Sequence, residues 1–204
     1  MRAGIRMGLC FALLAGGTAL AEDGLSVSGS QYVEWEGPYF LLGLGAEGYT
    51  GELAANLNPG LSYEAIIGYR PTELLGIEVG YSGGVNDLDP GAGSGTGGPD
   101  IIRNGGQVAL TLGFIPSSRL QPYGMAGIGV ERYSVRSGVS VRYFDDTGGY
   151  VPVGLGLRYR LNQRLSAEAR VSYSALFSQD FAPITDEDVL DGRYQGLLQL
   201  GGSF

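Results

Sequence analysis

The feature that most constrains this chain is an alternation of apolar with small or polar residues, which recurs in eight separate runs. Successive side chains of a β-strand point to opposite faces, so each run predicts a strand with one apolar face. No stretch shows a sustained helical stripe, which indicates an all-β chain. The predicted strands lie at residues 39–48, 60–70, 74–83, 106–115, 121–132, 149–161, 164–175 and 193–204.

The connections between these runs alternate in length. Tight turns rich in proline, serine and asparagine follow the second, fourth and sixth runs, at 70–73, 116–119 and 162–163. The other connections are longer and lie at 49–59, 84–105, 133–148 and 176–192. Short connections at one end and long ones at the other are typical of an up-and-down barrel in an outer membrane.

The residues opposite the apolar face decide between a soluble and a membrane barrel. Glycine often stands there, as at Gly76, Gly80 and Gly154, which would be an odd surface for a soluble barrel. A membrane barrel turns its apolar face to lipid, and eight strands leave a lumen only wide enough for side chains. We therefore predict an eight-stranded antiparallel up-and-down transmembrane β-barrel with short periplasmic turns and longer extracellular loops. The alternative is a soluble ligand-binding barrel, which would be released from cells without detergent.

Aromatic residues of apolar parity are expected to form two girdles at the membrane interfaces, because a tyrosine joins an apolar ring to a wet hydroxyl. The final run spans roughly 25 Å at a strand tilt near 40°, which is the height of an outer-membrane apolar band. The predicted girdle residues are Phe40, Tyr63, Tyr69, Tyr81, Phe114, Tyr159, Tyr173 and Tyr194.

The start of the chain predicts export. Two arginines, a short apolar stretch and an Ala-Leu-Ala segment indicate a signal peptide over 1–21, cleaved after Ala21. We then expect a periplasmic lead-in over 22–37, with Trp35 at the inner interface, and a barrel domain over 38–204.

Three short segments in these runs resemble the small OmpA-type outer-membrane barrels: Tyr39 to Gly45, Gly68 to Arg70 and Gly80 to Ser82. The terminal Phe204, with Leu198 and Leu200 on its parity, resembles the C-terminal signal of that family. The resemblance implies insertion by the barrel-assembly machinery, and Gly202 departs from it because the family usually has a bulky apolar residue there.

Charged residues occur on the inward parity and should pair across strands, since an unpaired charge in a narrow lumen is costly. The preferred hypothesis is a salt-bridge network that fills the lumen. The alternative is a gate in which Glu78 and Glu168 face Arg158 and Arg170. Glu47, Arg70 and Arg160 are nearer the strand ends and are expected at solvated rims. The predicted network comprises Glu64, Glu78, Glu131, Arg158, Glu168 and Arg170.

The long connections are acidic and rich in glycine. Asp87, Asp89 and Gly91 faintly resemble a calcium loop, but the later acidic ligand is missing, so no metal site is predicted. Acidic clusters at 145–146 and 186–191 favour solvated loops. The alternatives are divalent-cation bridges to lipopolysaccharide phosphates or contact with a basic partner.

The composition excludes several function classes. The chain has no histidine and a formal net charge of −8, so His-dependent catalysis is absent and nucleic-acid binding is not expected. We predict a non-enzymatic protein of the bacterial outer membrane, without cofactor or catalytic residues, with an envelope-structural and surface-interaction role. A narrow or gated porin-like channel is the alternative. The expected partners are outer-membrane lipid, lipopolysaccharide and the assembly machinery, and the sequence identifies no extracellular partner.

Overall fold

The computed structural model describes residues 35–51, 54, 57–87, 100–136, 146–177 and 192–204. The predicted signal peptide and most of the lead-in lie outside these residues. Eight strands are present: β1 Gly37–Thr50, β2 Gly60–Arg70, β3 Leu75–Asp87, β4 Asp100–Gly113, β5 Leu120–Arg136, β6 Asp146–Arg160, β7 Leu165–Phe177 and β8 Gly192–Ser203. The described part of the chain contains no helix long and apolar enough to cross a membrane.

Each strand pairs in antiparallel fashion with the next, and β8 pairs with β1, so the sheet is a closed barrel. Pairs such as Leu44 with Leu198 join the first and last strands. Closure satisfies the backbone hydrogen bonds of both edge strands, which an open sheet would leave unpaired. The predicted eight-stranded antiparallel barrel is therefore confirmed.

Two hairpins, β3–β4 and β5–β6, extend several residues further toward the long connections than the alternation predicts. β3 and β4 stay paired up to Asp87 and Asp100, and β5 and β6 pair up to Tyr133 and Asp146. Ladder hydrogen bonds join backbone groups, so a hairpin continues where glycine and polar side chains have diluted the apolar pattern. The predicted loop boundaries at 84–105 and 133–148 were wrong for this reason.

The alternation correctly predicts which face of each strand lies outward. Apolar side chains of one parity are exposed on the outside, and polar side chains of the other parity are buried inside. Tyrosine rings lie over inward glycines of neighbouring strands: a Cβ at Gly68 would approach Tyr39 Cζ to 2.3 Å, and one at Gly156 would approach Tyr123 Cζ to 2.4 Å. These inward glycines make room for rings that fill the lumen.

The barrel has two distinct ends. The short-turn end carries the connections at 71–74, 114–119 and 161–164, together with the start of β1 and the end of β8. The long-loop end carries the other four connections, which are longer.

Candidate functional site

The lumen is the part of the barrel where charged side chains converge. The described residues include five buried glutamates and five buried arginines, so their formal charges cancel. A buried charge is stable only when a partner offsets the loss of hydration. They are Glu47, Glu64, Glu78, Glu131 and Glu168, and Arg70, Arg103, Arg158, Arg170 and Arg193.

A first group lies toward the short-turn end and is called the lower cluster. It consists of Arg70, Arg158, Arg170, Glu78 and Glu168. Arg158 Nε lies 2.6 Å from Glu168 Oε1, and Arg170 Nη2 lies 2.8 Å from Glu78 Oε2. Crossed contacts of 4.0 Å and 3.9 Å join each arginine to the other glutamate. All four residues of the gate hypothesis thus belong to one network.

Two tyrosines complete the lower cluster. The Tyr39 hydroxyl donates to Glu78 Oε1 at 2.7 Å. The Tyr123 hydroxyl donates to Glu168 Oε2 and accepts from Arg170 Nε, each at 2.9 Å. The rings also face cations, because the Arg70 guanidinium lies 3.6 Å from the Tyr39 ring centroid. Tyrosine here supplies both a hydrogen bond and a cation–π contact.

Trp35 does not lie at a membrane interface, which corrects the expectation from the sequence. Its side chain is buried, and its Nε1–H donates to the Ser118 carbonyl in the β4–β5 turn at 2.9 Å. The Arg160 guanidinium lies 4.3 Å from the indole centroid, and Arg70 and Arg158 lie 5.5 and 5.6 Å away. The indole therefore packs among the arginines at the short-turn end of the lumen.

Glu64 lies between the two groups of ion pairs. Its carboxylate accepts hydrogen bonds from Gln107 Nε2 at 2.7 Å and from Gln199 Nε2 at 2.9 Å. Arg170 Nη1 is 3.6 Å away. Two amide donors and a more distant cation thus solvate this carboxylate in place of a close ion pair.

A second group lies toward the long-loop end and is called the upper cluster. It consists of Glu47, Glu131, Arg103 and Arg193. Arg103 and Glu47 form a two-point contact, with Nε to Oε1 at 3.2 Å and Nη2 to Oε2 at 2.6 Å. Arg193 Nη1 lies 2.5 Å from Glu131 Oε2, and Arg103 Nη1 lies 3.5 Å from the same atom. Arg103 Nη1 also donates to Ser82 Oγ at 3.0 Å.

An apolar layer packs next to the upper cluster. Its buried side chains form one hydrophobic group of six: Tyr49, Leu57, Ile101, Tyr133, Tyr150 and Leu176. Leu57 comes from the β1–β2 connection, whereas the other five come from strands. The lumen therefore has an apolar layer beside one cluster of ion pairs and an indole ring beside the other.

The sequence predicted some of these residues and missed others. Glu47 and Arg70 are buried and paired, so their assignment to solvated rims was wrong. Arg160 is half-buried against Trp35. Arg103 was missed because it was placed in a loop, although it shares the inward parity of Gln107. Arg193 continues the inward parity of Gln199 and Leu197, which would have been enough to find it.

The model of the outer membrane protein beta-barrel domain matches residues 9–198. The chain belongs to that family. No curated protein matches the sequence.

Several solved structures are similar to this outer-membrane barrel. Neisserial surface protein A is 18% identical, with a TM-score of 0.60, and the match covers 82% of this chain and 97% of that one. Ail of Yersinia pestis, in complex with the heparin analogue sucrose octasulfate, is 13% identical, with a TM-score of 0.55 and coverage of 83% and 99%. The N-terminal barrel of Pseudomonas aeruginosa OprF is 15% identical, with a TM-score of 0.53 and coverage of 83% and 98%. At these identities the likeness shows the fold.

The aromatic residues predicted for the girdles lie exposed on the outer face of this barrel, and their part in a lipid girdle stays a prediction. Tyr63 and Tyr81 form a pair with ring centroids 6.4 Å apart, and both hydroxyls donate to Asn104 Oδ1, at 2.9 and 2.8 Å. The side chains placed outward and exposed are Phe40, Tyr63, Tyr69, Tyr81, Phe114, Tyr159, Tyr173 and Tyr194.

The C-terminal residues of the barrel also face outward. Leu198, Leu200 and Phe204 are exposed, and their part in assembly stays a prediction. A Cβ at Gly202 would lie 3.2 Å from Phe40 Cε1 and 2.9 Å from the Arg164 carbonyl oxygen. The Phe40 ring of β1 thus occupies space that a bulky residue at position 202 would need.

No set of acidic, cysteine or histidine residues within the described ranges could hold a metal ion. The acidic clusters at 145–146 and 186–191, and the side chains of Asp87 and Asp89, lie outside what the structure describes. The hypotheses on these loops therefore stay predictions.

Proposed function

We propose that this outer-membrane barrel is a non-conducting, non-enzymatic protein that stabilises the envelope and presents its long loops for surface interaction. The observation that carries the proposal is the packing of the lumen. Five arginines and five glutamates are buried there in ion pairs and hydrogen bonds. A packed, neutral lumen is a core, and function is then expected on the outer surface and the loops.

The energetics of the ion pairs support a closed lumen. An ion passing between Arg158 and Glu168 would have to separate atoms that are 2.6 Å apart. Separating a buried pair leaves an uncompensated charge, at a cost of about 3 to 5 kcal/mol. A hydrated ion would meet this obstacle again at Arg193 and Glu131 in the upper cluster.

A gated channel is the alternative function, and the composition of the lower cluster favours it. Three arginines there face two glutamates, and Arg70 Nη2 is 3.4 Å from its nearest carboxylate oxygen. An excess of cation that is only loosely paired would attract anions if the network rearranged.

The test is single-channel conductance of the refolded protein in a planar bilayer, after a heat-modifiable gel shift has shown that it is folded. We expect a silent bilayer for the natural sequence and for the control variant Glu36→Gln, which changes an exposed carboxylate outside the strands. Discrete, reproducible steps from the natural sequence would overturn the proposal.

Two lumen variants separate the closed barrel from the gate. Glu78→Gln and Arg158→Ala each remove one member of the lower cluster. If folded samples of both stay silent, the lumen is a packed core. If either conducts while the natural sequence is silent, the lower cluster is a gate and the alternative function holds.

Catalysis is not part of the proposal, because the chain has no histidine. The polar groups of the lumen that could act as acid or base are already engaged with each other. Glu78 and Glu168, for example, are buried and bind arginines, so neither reaches a substrate at the surface.

A further inference from the structure

One charged side chain stands on the outer face of the strands among the side chains that the structure describes. Among strand residues whose side chains the structure describes, the outward parity carries apolar, small or neutral polar residues, with Arg132 as the exception. Arg132 is exposed, and it follows Ile128 and Val130, which are exposed on the same face. A guanidinium on the lipid-facing side of a barrel strand is unfavourable unless it reaches the headgroup region.

The height of Arg132 along β5 places it in that region. The strand begins at Leu120, at the short-turn end. At about 3.3 Å per residue and a tilt near 40°, Arg132 is about 30 Å from that end, just beyond an apolar band of about 25 Å. The long-loop end of such a barrel is extracellular, so Arg132 lies at the level of the outer-leaflet headgroups.

The neighbours of Arg132 supply further polar groups. In the antiparallel register, Arg132 is opposite Asn104 of β4 and opposite Thr147 of β6. The Asn104 Oδ1 atom already accepts from two tyrosine hydroxyls of the girdle, which leaves the Nδ2 group, with its two donors, for a different acceptor. Arg132 and Thr147 also take part in interactions within the chain, and five N–H donors allow a guanidinium to serve more than one acceptor.

We propose that Arg132, Asn104 and Thr147 form a binding site for a phosphate group of lipid A in the outer leaflet. A planar guanidinium matches two phosphate oxygens, and the amide and hydroxyl groups beside it add hydrogen bonds. The acyl chains of the same lipid would lie along the exposed Ile128 and Val130 below. The inference deepens the proposed function, on which it rests, by naming the partner of the outer surface.

Position favours a lipid over a soluble anion as the ligand, because the net negative charge of the chain repels both and only the lipid is held at this height by its acyl chains. The chain has 21 acidic residues against 13 basic ones, so dissolved anions approaching from outside are repelled. A lipid anchored in the leaflet reaches Arg132 from the side, by lateral diffusion along the outer face of β5. The Arg132 guanidinium at headgroup level is then an attractive position for a membrane-bound phosphate.

The experiment measures binding of lipid A to the refolded protein in neutral detergent micelles, by native mass spectrometry over a lipid titration. We expect Arg132→Ala to weaken binding roughly tenfold, as the loss of a charge-assisted contact implies. The matched control is Arg164→Ala, which removes the same charge from an exposed position at the short-turn end and should leave binding unchanged. Equal binding by Arg132→Ala and the natural sequence, or equal losses in both variants, would overturn the site.

Further arms identify the group that is bound. Dephosphorylated lipid A should bind to the natural sequence as weakly as lipid A binds to Arg132→Ala. Arg132→Lys keeps the charge without the planar two-point geometry of the guanidinium, and its affinity for lipid A should fall roughly threefold. Phosphatidylglycerol that binds as tightly as lipid A, with the same dependence on Arg132, would overturn the assignment to lipid A.

The closed-lumen function and the lipid A site can be overturned independently of each other. All variants are checked for the heat-modifiable shift before titration, so a loss of binding is not a loss of fold. Conductance of the natural sequence would overturn the closed-lumen function and leave lipid binding intact, because Arg132 does not face the lumen. Absence of Arg132-dependent binding would remove the lipid site and leave a silent barrel.

Discussion

The lower and upper clusters both stabilise buried charges in the lumen, but with different sets of side chains. The upper cluster matches two arginines with two glutamates, and its pairs include a two-point contact between Arg103 and Glu47. The lower cluster has three arginines for two glutamates, and it adds the rings of Tyr39, Tyr123 and Trp35. Both clusters neutralise charge by pairing, but the lower one places a ring beside each of its three arginines, whereas the upper one has the Tyr150 ring 5.1 Å from Arg193.

The difference shows how an aromatic ring can take part of the role of an anion. Arg70 has one carboxylate oxygen at 3.4 Å, but its guanidinium lies 3.6 Å from the Tyr39 ring centroid. Arg158 lies 4.4 Å from the Tyr123 ring centroid. The negative face of a ring attracts a desolvated cation by about 2 kcal/mol. A ring carries no net charge, however, and three arginines share two glutamates here, so we expect the lower cluster to depend more steeply on each of its glutamates.

The largest effect is expected from Glu168→Ala in the lower cluster. Glu168 contacts Arg158 at 2.6 Å, Arg70 at 3.4 Å and the Tyr123 hydroxyl at 2.9 Å. Its removal leaves three buried arginines facing Glu78, and we expect a loss of about 4 to 5 kcal/mol in the free energy of unfolding. Urea unfolding of the refolded barrel in lipid vesicles measures it, with Glu36→Gln as control. A loss smaller than that of Glu131→Ala would contradict the stronger dependence of the lower cluster on its glutamates.

A smaller loss is expected from Glu131→Ala in the upper cluster. Glu131 Oε2 contacts Arg193 at 2.5 Å and Arg103 at 3.5 Å. Arg103 keeps its two-point contact with Glu47 after the change, so one arginine loses its main partner, and we expect a loss of about 3 kcal/mol. The same unfolding assay gives the number. The double variant Glu131→Ala with Arg193→Ala should be more stable than the sum of the single losses predicts, and strict additivity would contradict the pairing.

The smallest effects come from two tyrosine hydroxyls, one beside each cluster. The Tyr39 hydroxyl donates to Glu78 at 2.7 Å, whereas the Tyr49 hydroxyl is buried without a hydrogen-bond partner among the described residues. Tyr39→Phe keeps the ring over Arg70 and should cost about 1.5 kcal/mol, since a hydrogen bond to a charged group is lost. Tyr49→Phe should change stability by less than about 0.5 kcal/mol. Equal losses in both variants would show that the two hydroxyls have equivalent surroundings.

The sequence predicted the lower cluster better than the upper one, for a physical reason. Glu78, Arg158, Glu168 and Arg170 lie in runs whose opposite face is strongly apolar, so their inward parity is plain. Arg103 follows two isoleucines, Asn104 and two glycines come after it, and no clear alternation surrounds it. Its place in the lumen comes from the β3–β4 ladder, in which Arg103 is opposite Gly84.

The sequence by itself determined the strand number, the closed antiparallel barrel and the side of the sheet that faces outward, because these follow from period-two alternation and connection lengths. Only the tertiary structure decided which charges meet. Arg170 and Glu78 are 92 residues apart in the chain, and strand tilt and barrel closure bring them together. The burial of Trp35 against Ser118 and Arg160 was likewise decided by closure, since no local pattern around residue 35 encodes its partners.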